Sequence, residues 1–187
     1  MKYIVRSTAG SLLACMSFGS AAWSCRDRDR HIGWSKERRS EALHLLSNNQ
    51  RFLVPGCIRV PCLASCALSL VARRISRDWE AKYGHPLLAL ETFVESPGRF
   101  KATAYRAANW GLVGRTAGRG RDGGHHEAML PQKDIYMYPL ARRHLEKLRG
   151  DGHTQKRADA QAGGASHLDA AGRHAPDTKE ERHYEQT

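Results

Sequence analysis

Leu87-Leu88-Ala89-Leu90-Glu91-Thr92-Phe93-Val94 is the stretch on which the fold turns. It is apolar almost without a break up to Glu91, the pattern of a strand covered on both faces. Tyr83-Gly84-His85-Pro86 before it and Pro97-Gly98 after it are turn sequences. Upstream, Leu63, Ala67, Leu70, Val71 and Ile75 recur at helical spacing and predict a helix over 63–76. Downstream, 99–108 reads as a helix carrying Phe100 and Tyr105, closed by Asn109-Trp110-Gly111. A strand covered on both faces with helices before and after it belongs to an α/β sheet with helices on both sides.

The flanks agree with that class. Residues 112–116 and 134–138 read as strands, and 140–149 as a final basic helix. Toward the N-terminus, 2–8 and 12–23 read as two strands joined by a turn at Gly10. Ser35 is a helix cap with Glu37 in the first turn, so 36–47 reads as a helix, ended by Asn48 and Asn49. Two short β runs follow at 51–54 and 57–60, interrupted by Pro55-Gly56.

The 187 residues hold 30 Lys and Arg against 19 Asp and Glu, a formal charge of +11. Residues 1–140 carry 21 basic and 11 acidic side chains, so the positive field belongs to the part that folds. From Gly150 on there is no Phe, Trp, Ile, Val, Met or Cys, too little apolar area to offset the entropy of ordering. We therefore expect a domain over 1–149 and a disordered polar tail over 150–187. No run of about 18 apolar residues offers a membrane span. Arg6, Ser7, Thr8, Gly10 and Ser11 fall where an export signal needs about 7–15 unbroken apolar residues, which favours a cytoplasmic chain.

Few residues point to chemistry on their own. Arg115, Arg119 and Arg121 lie on a glycine-rich stretch, where close backbone approach and bidentate guanidinium contacts suit phosphate. Arg26-Asp27-Arg28-Asp29-Arg30 reads as a surface ladder of mixed charge. Trp23, Trp34, Trp79 and Trp110 adjoin apolar runs and are expected in the core. Glu91, a carboxylate in an apolar strand, needs a partner or a raised pKa unless its end of the strand turns to solvent. Cys62 and Cys66, four apart on a helix, are expected to be free thiols, and no metal site is expected.

Six stretches together resemble a known family: Arg28-Asp29-Arg30-His31-Ile32-Gly33-Trp34-Ser35, Asn48-Asn49-Gln50-Arg51-Phe52-Leu53, Glu91-Thr92-Phe93-Val94, Tyr105-Arg106-Ala107-Ala108-Asn109-Trp110, Thr116-Ala117-Gly118-Arg119-Gly120-Arg121 and Lys133-Asp134-Ile135-Tyr136-Met137-Tyr138-Pro139-Leu140. In this order they resemble the DruA family of the Druantia anti-phage system, from about Lys2 to Leu148. The resemblance implies an N-terminally short member, incomplete by at least one strand and helix, with a tail foreign to the family. The element order is also similar to the later part of a GNAT-type acyltransferase. That likeness implies a splayed strand over 51–60, a pyrophosphate-binding turn over 59–65, Tyr105 as general acid and Glu91 as general base. The turn has no glycine, and Pro61 removes a donor, so no cofactor is expected, with acetyl-CoA the one to test.

The leading expectation is thus a protein of anti-phage defence or mobile-element biology that binds nucleic acid through Arg115, Arg119 and Arg121 on a GNAT-like α/β scaffold. Other defence-system proteins are candidate partners. Two further readings stay open: an acyl-CoA-dependent N-acyltransferase using Tyr105 and Glu91, and a non-functional truncated remnant.

Overall fold

The computed structural model describes residues 1–95, 101–118 and 130–151. They lie in a compact unit spanning Met1–Gly152; the second unit, His153–Thr187, falls outside the described residues, and with it the expected tail apart from Gly150 and Asp151. Strands β1 (Lys2–Arg6) and β2 (Leu12–Ser20) form a hairpin and lead into helices α1 (Arg26–Ile32) and α2 (Lys36–Ala42). A 3-10 turn over Leu43–Leu45 passes into β3 (Leu46–Leu53). Helices α3 (Leu63–Ala72) and α4 (Ile75–Tyr83) precede β4 (Ala89–Glu95). Then come α5 (Thr103–Ala107), β5 (Gly111–Arg115), β6 (Lys133–Pro139) and α6 (His144–Arg149).

The six strands form one sheet in the order β1-β2-β3-β4-β6-β5. Only β3 and β4 run parallel, joined by the α3–α4 crossover; the other neighbours are antiparallel. This is the mixed α/β sheet with helices on both faces that the apolar strand implies. Successive side chains alternate across the sheet. Leu90 and Tyr136 face a core shared with Leu68, Val71, Ile75 and Trp79 of α3 and α4, while Tyr105 of α5 packs against its edge. Ala89 and Met137 face the other core, with Ile32 of α1 and Leu148 of α6. β4 is therefore covered on both sides, as its composition requires.

Several local expectations are corrected. Asn48 and Asn49 do not end a helix. The helix stops at Ala42, and both residues sit inside β3, whose Leu46 is fully buried. Short-range propensity yields here to the buried face of the sheet. The run 57–60 is no strand: Ile58 N–H turns back to the Pro55 carbonyl at 3.0 Å. The helix expected over 63–76 breaks at Arg73-Arg74 and restarts as α4, which the sequence reading left out. Arg26–Arg30 belongs to helix α1, ended by Gly33 in the left-handed region, φ 83°, where L side chains are strained.

The last helix closes the α1 face. The Leu148 carbonyl accepts from the Trp34 indole at 2.9 Å and from Arg38 Nε at 2.8 Å, so its free end is capped by the helices it covers. His144 opens this helix. Burial pushes its imidazole below the ordinary 6.5, and the nearby His31 adds to the effect. As pH falls through about 6.5 the unfolded chain takes up this proton first, so His144 destabilises the fold on the acid side. Melts at pH 7.5 and pH 5 should show a larger fall for the wild-type chain than for His144→Gln. Equal falls would remove His144 as the cause.

Candidate functional site

The parallel pairing of β3 and β4 is short. Leu46, Ser47 and Asn48 register with Ala89, Leu90 and Glu91, and beyond that the ladder ends although both strands continue. The splayed strand is thus Leu46–Leu53, in place of the expected 51–60. β3 is also irregular on its other edge. Ser17 registers with Arg51 and Phe18 with Asn49, which leaves Gln50 as an extra residue, a β-bulge. The Asn49 amide donates to the carbonyls of Ser17 and Arg51, each at 3.1 Å, and so supplies hydrogen bonds where the ladder is broken.

The α1 face of the opening is built on a buried ion network. Arg28 and Glu91 are both fully buried, with Arg28 Nη1 at 2.9 Å from Glu91 Oε2. Arg28 Nε donates to Asp29 Oδ1 at 2.8 Å, and Asp29 in turn accepts from Arg39 Nη1 at 3.0 Å. Burial lowers the Arg28 pKa, and Glu91 and Asp29 more than offset that, leaving it above its ordinary value. Glu91 therefore has a partner and does not turn to solvent. The run Arg26–Arg30 is correspondingly no mere surface ladder: Arg28 and Asp29 point inward, and hydropathy could not signal this because their partners lie 63 and 10 residues away.

The same network holds a loop. Glu91 Oε1 accepts from Ala22 N–H at 2.8 Å, and Arg28 Nη1 donates to the Ala22 carbonyl at 2.8 Å. The next residue, Trp23, is 64% exposed, with the Arg39 guanidinium 5.9 Å from its ring centroid. Trp79 and Trp110 are buried as expected, but Trp23 is not. Its position at the end of an apolar run gave no signal that the chain leaves the sheet at Ser20.

Beside this loop opens a groove of about 860 Å³, lined by residues that include Trp23, Arg26, Asn48, Gln50, Phe93, Arg115 and Lys133. Arg26 reaches Asp27 at 3.3 Å and Arg115 reaches Asp134 at 2.8 Å, whereas Lys133 has no carboxylate partner among the described residues. Burial pushes the Cys25 thiol above its ordinary pKa, so this lining residue is held as a thiol, a poor nucleophile. Of the three arginines expected to meet phosphate, Arg115 is on the groove; Arg119 and Arg121 lie outside the described residues.

Tyr105 stands elsewhere. Its hydroxyl donates to Asn49 Oδ1 at 2.6 Å, among the rings of Phe52, Trp110 and Tyr136. Burial raises its pKa, partly offset by the Thr92 hydroxyl. Tyr105 thus packs on the α3–α5 face, while Glu91 points to the α1 face and is neutralised there. The structure does not bring this pair to one site, because adjacent strand positions face opposite ways. The turn over 59–65 gives acetyl-CoA a poor fit as well. Pro61 has no N–H, Leu63 N–H already donates to the Val60 carbonyl, and Cys62 occupies a φ of 57° that glycine would hold without strain. Cys57, Cys62 and Cys66 are free and exposed, and no cluster among the described residues has the ligands for a metal ion. Nor is any helix among the described residues long and apolar enough to cross a membrane.

None of the curated proteins compared matches the chain. Among solved structures, it is similar to an N-acetyltransferase from Staphylococcus aureus Mu50, with 16% identity, 75% of this chain and 67% of that one covered, and a TM-score of 0.46. It is also similar to a GNAT superfamily phosphinothricin acetyltransferase from Sinorhizobium meliloti in complex with acetyl-CoA, with 11% identity, 75% and 60% covered, and a TM-score of 0.46. Likeness this slight carries no argument about ligand or reaction. The family match is of another kind. The model of the Druantia protein DruA matches residues 1–124, about two thirds of the chain, and takes in the ion network, the bulge and most of the groove. The chain belongs to the DruA family, which associates it with Druantia anti-phage defence.

Proposed function

We propose that this DruA-family chain acts by binding nucleic acid at the groove beside the parting of β3 and β4. The observation that carries the reading is an exposed Trp23 held beside three cations, Arg26, Arg115 and Lys133, around one groove. An exposed aromatic next to cations is the combination that holds a nucleic-acid strand, rings stacking on bases and cations meeting phosphates. The surplus of basic side chains in residues 1–140 supports it by favouring any polyanion. The stretch that carries Arg119 and Arg121 continues directly from the lining residue Gly118, which extends the cationic sequence without adding to the geometry.

Each phosphate contact releases counterions, so affinity must fall with salt. For several contacts we expect the affinity of the full chain for a labelled oligonucleotide to drop about tenfold or more between 50 and 200 mM salt. Joint replacement Arg26→Gln and Lys133→Gln should flatten the log–log slope by about 1–2. Binding indifferent to salt would sink the reading. So would an unchanged slope in the double variant, because the strand would then run elsewhere.

A further inference from the structure

Two side-chain amides in the groove have no work in the fold. Asn48 and Gln50 both line it, and neither makes a side-chain hydrogen bond among the described residues. Asn48 Oδ1 is buried without a partner, a costly state for an acceptor. Its neighbour Asn49, by contrast, spends its amide entirely on the bulge and on Tyr105. The bulge puts Gln50 out of the ladder, and Gly19 of β2 makes room for it. A Cβ at Gly19 would come within 2.5–2.8 Å of the Gln50 amide, which lies flat over the glycine. Two unbonded amides on one strand thus line a groove that also has Phe93 and the exposed Trp23 in its lining.

We propose that this groove seats an unpaired base of single-stranded nucleic acid, with the Asn48 and Gln50 amides at its edge and Trp23 against its face. The inference rests on the nucleic-acid reading above and narrows its substrate. An amide offers a donor beside an acceptor, and the free edge of a base offers the complementary pair. A base in a duplex has its Watson–Crick edge paired and its faces covered by its neighbours, so it cannot offer edge and face at once. A strand with free bases can. The cavity volume lies within the range that holds a small organic ligand with most of its surface covered.

The test is fluorescence anisotropy of the full chain at fixed salt, with a 12-residue single strand, the same backbone carrying abasic sites, and the matching duplex, in DNA and RNA versions. The base-bearing strand should bind about tenfold tighter than the abasic one, the scale of one stacked base, and the duplex no tighter than the abasic strand. Gln50→Ala, at an exposed position, should bring the base-bearing strand close to the abasic affinity with an unchanged melt, and Asn48→Ala should do the same. Should Asn48→Ala fail to fold, Gln50→Ala decides alone. Equal affinity for base-bearing and abasic strands, a tighter duplex, or an unaffected Gln50→Ala would overturn the base seat while leaving phosphate binding intact. No binding of any probe would overturn the nucleic-acid reading itself.

Discussion

Glu91→Ala should cost about 3–5 kcal/mol of folding stability, because it leaves the Arg28 guanidinium buried with its main partner gone. Neither end of this pair can reach water without moving α1 off the sheet. The desolvation penalty of the remaining cation therefore falls on the folded state alone. Asp29 still faces Arg28 but is shared with Arg39. Chemical denaturation of the full chain gives the measurement, and Arg28→Met with Glu91→Leu is the control. The apolar pair should recover most of the loss, since replacing both charges removes the penalty along with the attraction. A loss under about 1 kcal/mol for Glu91→Ala would mean that water reaches the guanidinium. Because Glu91 also holds Ala22 N–H, the single variant should loosen the loop that carries Trp23 and weaken oligonucleotide binding at temperatures where the chain is still folded.

The second large effect is expected at Asn49. Asn49→Ala removes both amide bonds from the bulge carbonyls and leaves the Tyr105 hydroxyl without its acceptor. With each part-buried group losing its partner, the loss should reach about 2–4 kcal/mol. Tyr105→Phe breaks only the last of these bonds and should cost about 1 kcal/mol. If the tyrosine change proved the more costly of the two, the bulge would not depend on Asn49. The comparison also bears on Tyr105 as a group of chemistry: its hydroxyl is fastened to a structural amide that faces away from the groove.

The class of fold was legible because β4 announces itself. Few strands lack a polar face, and one that does must be covered twice. Other strands were placed to within a few residues where hydrophobic period and turn residues agreed, as for β5, β6 and the β1–β2 hairpin. The reading failed where a local preference met a distant partner. Asn48 and Asn49 look like a helix end, yet β3 runs through them because Leu46 is wanted in the core and the amide of Asn49 is wanted at the bulge. Arg28 looks like surface until Glu91 is placed opposite it. In the site, a partner for Glu91 was foreseeable from its apolar surroundings, but the identity of that partner was not. Of the groove, the reading named Arg115 alone as a binding residue. Trp23, Asn48, Gln50 and Lys133 come from separate parts of the chain, and no spacing rule links them.

The order of strands in the sheet differs from the order in which they are made. β5 is made before β6 yet, among the described strands, pairs with β6 alone, which lies between it and β4. A nascent chain that has reached Arg115 therefore holds a strand with no edge to join, and β4 waits with one side bare. Both are completed only when Lys133–Pro139 inserts between them, and α6 covers the α1 face later still. Vectorial synthesis thus leaves the N-terminal strands able to form early and forces the other half of the sheet to assemble at once, near the end. A stop codon just before Lys133 would undo more of the sheet than the one strand it removes: among the described strands β5 would lose its partner, and β4 would present the open edge at which strands of other molecules join.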